Sequence, residues 1–233
     1  MNTRKPYFLI LAVLLGVFAA SAYAKKQELP EVTTDGLHRV PDSKLAVVYA
    51  EPGADLKPYK RVNLMDAYVA FKKNWARDQK SRSAQPFRIS SSDMEKIKKR
   101  LATEFKEVFR AALLDAGYEL TEEAAEDVMI VRPAIINLDV NAPDTMSAGR
   151  TTTFAASAGE MTLYIELYDS VSGDIFAKAL DRRVDNRNSS YYTWANSVTN
   201  KAAADRILKG WAGILVDALN EAKSHDADSG SGP

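Results

Sequence analysis

The stretch Met161-Thr-Leu-Tyr-Ile-Glu-Leu-Tyr-Asp-Ser-Val-Ser-Gly-Asp-Ile-Phe-Ala-Lys-Ala-Leu-Asp-Arg-Arg-Val184 decides the fold. Met161, Leu163, Ile165 and Leu167 alternate with Thr162, Tyr164, Glu166 and Tyr168, the period of a strand with one apolar face. Asp169-Ser-Val-Ser-Gly-Asp174 then supplies turn chemistry, and Ile175–Val184 returns as a second strand, so the segment reads as an antiparallel hairpin.

Upstream of the hairpin, Val128–Val140 reads as another strand. Val128, Ile130, Ala134, Ile136, Leu138 and Val140 share a face, while Met129, Val131 and Ile135 mark its first half as buried on both sides. Before it lies a helix, Asp93–Ala116. Ser92 and Glu95 form a capping box, Gly117 ends the helix, and Met94, Ile97, Leu101, Phe105, Val108, Phe109, Ala112 and Leu113 make one apolar stripe. Residues 60–71 form the earliest strong strand, with Val62, Leu64, Tyr68 and Ala70 at even positions and a bulge expected near Asp66. Val47-Val48-Tyr49 reads as a short edge strand. Downstream of the hairpin, Lys201–Ala222 is a helix burying Ala204, Ile207, Leu208, Trp211, Ile214, Leu215, Ala218 and Leu219, with Gly210 and Gly213 allowing close packing.

The order β-α-β-β-β-α implies an α+β two-layer sandwich: a mostly antiparallel sheet of about four to five strands with two helices on one face. A crossover through the first helix makes its flanking strands parallel, and the next two connections alternate direction. That gathers the long connections 72–91, 141–159 and 185–199 at one edge of the sheet. Long irregular loops in a compact domain tend to carry function. Asn74, Trp75, Arg77, Asp144, Arg150, Asn188 and Trp194 are therefore the candidate partner or ligand edge.

The amino terminus supplies an address. Arg4 and Lys5 precede an apolar run from Tyr7 to Ala20, and Ala22-Tyr23-Ala24 fits signal peptidase cleavage after Ala24, with Ala22 as the second-best site. The run is too short to cross a ~30 Å hydrocarbon core comfortably, so no stable membrane span is expected after cleavage. The expected organisation is a signal peptide at 1–24, an extended leader at 25–43, one domain at 44–223 and a disordered tail at 224–233. Beyond the signal, 29 Lys and Arg face 31 Asp and Glu, a balance that draws the chain to neither nucleic acid nor an anionic bilayer. The basic run Lys96, Lys98, Lys99, Arg100 and Lys106 is interleaved with Glu95, Glu104 and Glu107 and reads as a solvated helix face. There is no cysteine, so packing alone must hold the fold in an oxidising compartment.

No catalytic, cofactor or metal set emerges. His38 and His225 fall in the leader and the tail, and Ala155-Ala-Ser157-Ala-Gly159 lacks the strand-to-helix context of a nucleophile elbow. Carboxylates such as Asp139 and Asp144 have no spacing that assigns acid and base roles. Tyr191, Tyr192 and Trp194 are more easily loop anchors than a stacking platform.

Several segments in order carry a resemblance: Tyr49-Ala-Glu-Pro-Gly-Ala-Asp-Leu-Lys-Pro-Tyr-Lys-Arg-Val62, Val69-Ala-Phe-Lys-Lys-Asn-Trp75, Arg132-Pro-Ala-Ile-Ile-Asn-Leu-Asp-Val-Asn-Ala-Pro-Asp144, Ser157-Ala-Gly-Glu-Met-Thr-Leu163 and Trp194-Ala-Asn-Ser-Val-Thr-Asn200. Over about residues 36–222 the chain resembles the bacterial family known as domain of unknown function 3313. The resemblance implies an envelope protein, often a lipoprotein of Gram-negative cells, and brings no catalytic residues with it. This chain lacks the lipobox cysteine, which argues against lipid anchoring.

Together these readings lead to an exported periplasmic protein, a non-enzymatic accessory or binding domain whose partner is an envelope protein or a lipid or polymer component. A self-associating structural component is one alternative. The other is a hydrolase or lyase that acts on an envelope polymer through paired carboxylates.

Overall fold

The computed structural model describes residues 29–82, 90–140, 154–155, 157–186, 193–194 and 197–224. They hold ten strands, β1 (His38–Arg39), β2 (Val47–Ala50), β3 (Arg61–Leu64), β4 (Tyr68–Phe71), β5 (Glu119–Leu120), β6 (Val128–Val140), β7 (Phe154–Ala155), β8 (Ser157–Asp169), β9 (Ile175–Asn186) and β10 (Thr193–Trp194), and three helices, α1 (Trp75–Arg82), α2 (Ser91–Asp115) and α3 (Ser197–Ser224). The class is α+β, but the sheet is larger than the sequence suggested. Eight strands run in the order β1-β2-β9-β8-β6-β3-β5, with β4 also on β6, while β7 and β10 pair separately. The extra strands are two- to four-residue pieces, too short to carry a period of their own.

The hairpin forms as its alternation demands. Asp169 builds the turn, its Oδ1 accepting the backbone N–H of Val171 at 2.8 Å and of Ser172 at 2.6 Å, and Gly173 takes the left-handed conformation (φ 77°) that closes it. The Tyr59 hydroxyl donates to Asp169 Oδ2 at 2.6 Å. That bond, with the two backbone donors, holds the Asp169 carboxyl below its ordinary range.

β3 and β4 both pair with β6 in parallel, one after the other, with a break at Met65–Ala67 where the sequence suggested a bulge. β8 and β9 follow antiparallel.

The face assignment of β6 requires correction. Met129, Val131 and Ile135 are the residues that enter the core, while Ile130, Ala134 and Ile136 lie opposite, half-buried. At Asn137, in the left-handed region (φ 54°), β6 gains one residue relative to β8. The frame therefore flips, and Leu138 becomes core while Asp139 joins the other face.

Helices α2 and α3 pack against each other and against one side of the sheet. The α2 cap lies two residues earlier than Ser92: the Ser90 side chain accepts the Asp93 N–H, and Asp93 answers the Ser90 N–H in a reciprocal box. Its buried stripe is Leu101, Phe105, Phe109 and Leu113, at four-residue spacing, with the rings of Phe105 and Phe109 stacked 3.9 Å apart. In α3 the buried residues include Ala203 and Ala212, whereas Ala204 and Ile214 are only half-buried and Ala218 is exposed. Gly210 does permit close approach, since a Cβ there would meet an Arg183 nitrogen at 2.8 Å, but Gly213 faces open space.

The leader is partly built into the fold. Leu37 is buried, His38–Arg39 pair with β2, and the Tyr49 hydroxyl donates to the Pro30 carbonyl at 2.8 Å. Within the described residues, no helix is long and apolar enough to cross a membrane.

Candidate functional site

With both long helices on one side, the other side of β4, β6, β8, β9 and β2 is, among the described residues, a helix-free face that neither α2 nor α3 covers, and the register fixes which residues stand on it. One cross-strand row holds Tyr68, Ala134, Tyr164, Leu180 and Val47. Tyr68 is 67% exposed and Leu180 36%, so this apolar and aromatic stripe meets solvent. The neighbouring row, toward the Asp169 turn, holds Arg132, Glu166, Lys178 and Tyr49. On the opposite flank come Ile136, Thr162 and Arg182, then Asp139, Glu160 and Val184.

Charges on this face are mutually engaged. Glu166 is buried, with Arg132 2.7 Å from its Oε2 and the Tyr164 hydroxyl donating to its Oε1 at 2.5 Å. The Arg132 guanidinium also lies 5.4 Å from the centre of the Tyr168 ring. Burial, then the bond to Glu166 and its charge, push the Tyr164 hydroxyl well above its ordinary range, and the same causes raise Tyr168. Lys178 pairs with Asp35 of the amino-terminal segment. At the loop end, Lys72 lies 3.3 Å from Asp139 Oδ2 and 3.8 Å from Glu160 Oε1, and Arg182 also engages Glu160. Gly159 (φ 152°) makes this close approach feasible, because a Cβ there would meet the Asp139 carbonyl oxygen at 2.7 Å.

Asp139 and Glu160 are thus paired carboxylates, as a polymer-cleaving site would need, but each is held by cations. The arrangement is an ion-pair lattice of Lys72, Asp139, Glu160 and Arg182. Among the described residues, no group of three or more His, Asp or Glu is placed to hold a metal ion.

The sequence-derived edge is distributed differently. β4 and β6 end together and β8 begins beside them, so the connections after Phe71, after Val140 and before Ser157 lie at one end of the sheet. Trp75 is there but buried at 2% exposure, stacked on Phe71 at 4.1 Å and donating from Nε1 to the Val140 carbonyl at 3.3 Å. It pins the loop end to the core and offers nothing to a partner. Asn74 takes the left-handed conformation (φ 64°) and its carbonyl accepts the Asp78 N–H at 3.0 Å as α1 begins. Arg77 is exposed and pairs with the adjacent Asp78. Trp194 lies in β10, its backbone opposite Phe154. Asp144, Arg150 and Asn188, like Ala22, Ala24, Tyr191, Tyr192 and His225, lie outside the described residues.

Sequence reasoning missed Tyr68, Arg132 and Lys72 as members of one surface. The signal present was the alternation itself, which set Tyr164 and Glu166 on the non-core side of their strand. What it lacked was the parallel register of β4, which brings Tyr68 opposite Ala134.

The model of the family described as protein of unknown function, DUF3313, matches residues 32–215, and the chain belongs to that family. No curated protein matches it. Among solved structures, the chain is similar to a DUF330 protein of Xanthomonas campestris, with 11% identity, coverage of 76% of this chain and 93% of that one, and a TM-score of 0.41. It is similar also to the PelC dodecamer of Paraburkholderia phytofirmans, with 12% identity, coverage of 70% and 96%, and a TM-score of 0.31. A minor lipoprotein of Acinetobacter baumannii shows 9% identity, coverage of 69% and 94%, and a TM-score of 0.33. Likenesses this distant carry no weight for function.

Proposed function

We propose that this member of the DUF3313 family is an exported protein of the bacterial cell envelope that acts by binding, not by catalysis, and that the helix-free face of its sheet receives the partner. One observation carries the reading: a stripe, Tyr68–Ala134–Tyr164–Leu180, exposed at Tyr68 and Leu180 and half-buried between them, lies between rows of fixed charges on the side of the sheet that neither long helix covers. A sheet normally buries one face and wets the other, and a wetted face needs no exposed tyrosine and leucine in line. The signal sequence supports export, with cleavage after Ala24, and the missing lipobox cysteine supports release from the membrane into the periplasm. The partner is then an envelope component, and Asn74 and Arg77 at the long-loop end are exposed as well.

Fractionation tests this. Wild-type protein is expected to sediment in part with the envelope after osmotic lysis, and a Tyr68→Ser, Leu180→Ser double variant to pass into the released fraction. An unchanged distribution for a folded double variant would contradict the assignment of the face.

A further inference from the structure

Building on that reading, we infer that the ligand of the helix-free face is an uncharged stretch of polysaccharide whose sugar rings stack on Tyr68 and Tyr164. The charge pattern selects the class. Among the described residues, Lys72, Arg132, Lys178 and Arg182 on this face and Arg39 beside it each have an acidic partner, drawn from Asp139, Glu160, Glu166, Asp35 and Glu31. A partner that is itself strongly charged, a nucleic acid or an anionic bilayer, would have to break these existing pairs. A polyhydroxyl chain breaks none. Its hydroxyls accept from the exposed guanidinium N–H groups of Arg132 and Arg182, which Glu166 and Glu160 already orient.

The aromatic geometry agrees. Tyr68 and Tyr164 flank the small side chain of Ala134, so two rings bound a low floor, and their strands are two spacings apart, about 10 Å, the reach of a disaccharide. The faces of sugar rings carry C–H bonds that pack on aromatic faces, and the hydroxyls project sideways, here toward the exposed guanidinium groups of Arg132 on one flank and Arg182 on the other, Glu166 and Thr162 beside them being buried. Tyr164 is fixed for this task by its bond to Glu166, and Arg132 is held between Glu166 and the Tyr168 ring, so neither loses much side-chain freedom on binding.

The test is an NMR titration of the isotope-labelled protein with chitotetraose, cellotetraose and maltotetraose in turn, alongside a pull-down on purified peptidoglycan sacculi. At least one probe is expected to bind and to shift the amides of Tyr68, Ala134 and Tyr164. Tyr68→Ala should weaken that binding by about tenfold or more, and Tyr68→Phe should retain it, since stacking needs the ring and not the hydroxyl. The inference is overturned if no probe binds the folded protein, if shifts fall elsewhere, or if Tyr68→Ala binds as well as wild type. It is overturned also if the face proves to be a contact between two copies, seen as a concentration-dependent dimer that Tyr68→Ala abolishes. Loss of the glycan reading with the envelope retention of Tyr68 intact would leave the face as a binding surface for a protein. Loss of both would remove the face itself.

Discussion

The Tyr164 hydroxyl donates to Glu166 Oε1 at 2.5 Å, fastening an aromatic ring of the exposed sheet face to a buried carboxylate that Arg132 also holds. This bond has a signature in alkali. Burial first, and Glu166 second, raise the folded-state value of Tyr164 above the ordinary one of about 10. A raised value means that the native state holds the proton more tightly than the unfolded chain. The stability it contributes is complete below the unfolded value and is lost as pH climbs toward the folded one. An ultraviolet titration of tyrosinate is expected to show late-ionising groups, and Glu166→Gln should move part of that signal to lower pH. Superimposable curves would break the link between the two residues.

Trp75 is an anchor for the loop end. Trp75→Ala removes a ring that is 2% exposed and stacked on Phe71, and should cost about 3–5 kcal/mol in unfolding free energy. Denaturant unfolding measures it. A stable Trp75→Ala protein with weakened envelope association would instead make Trp75 a contact residue.

Phe105 plays the same part under the helices. It is fully buried beside Phe109, so Phe105→Ala should also lose about 3–5 kcal/mol, read from the denaturation midpoint. Ser90→Ala should cost less, about 1 kcal/mol, because it removes one cap from an exposed helix end.

Export is tested at the amino terminus. Sequencing the protein from a periplasmic extract should give Lys25 as the first residue, and recovery of intact Met1 in the membrane fraction would contradict cleavage.

Where sequence and structure agree, a local period was strong enough to be read alone. The β8–β9 hairpin and the four-residue stripe of α2 are the cases, since side chains there alternate or recur without interruption. Where they part, one residue changes the frame. Asn137 adds a position to β6 and sends Leu138 inward and Asp139 outward, and no periodicity over Val128–Val140 reveals that, because apolar residues occupy both faces on either side of the bulge. The candidate site was legible only as an address. The sequence puts Trp75 at the loop end, but whether a loop tryptophan faces solvent depends on a neighbour, Phe71, whose orientation is set by pairing with Leu138 across a parallel ladder. Tyr68, Arg132 and Tyr164 come from three strands widely separated in the chain, and only the register makes them neighbours.

The most direct measurement is oxidative footprinting of Tyr68 in two settings, purified protein and protein in isolated envelopes, with Leu114 of α2, 44% exposed on the far layer, as the internal control. If the helix-free face receives the partner, Tyr68 and Leu180 are protected in envelopes while Leu114 is labelled equally in both. Equal labelling of Tyr68 in the two settings, or protection confined to Leu114, would contradict it.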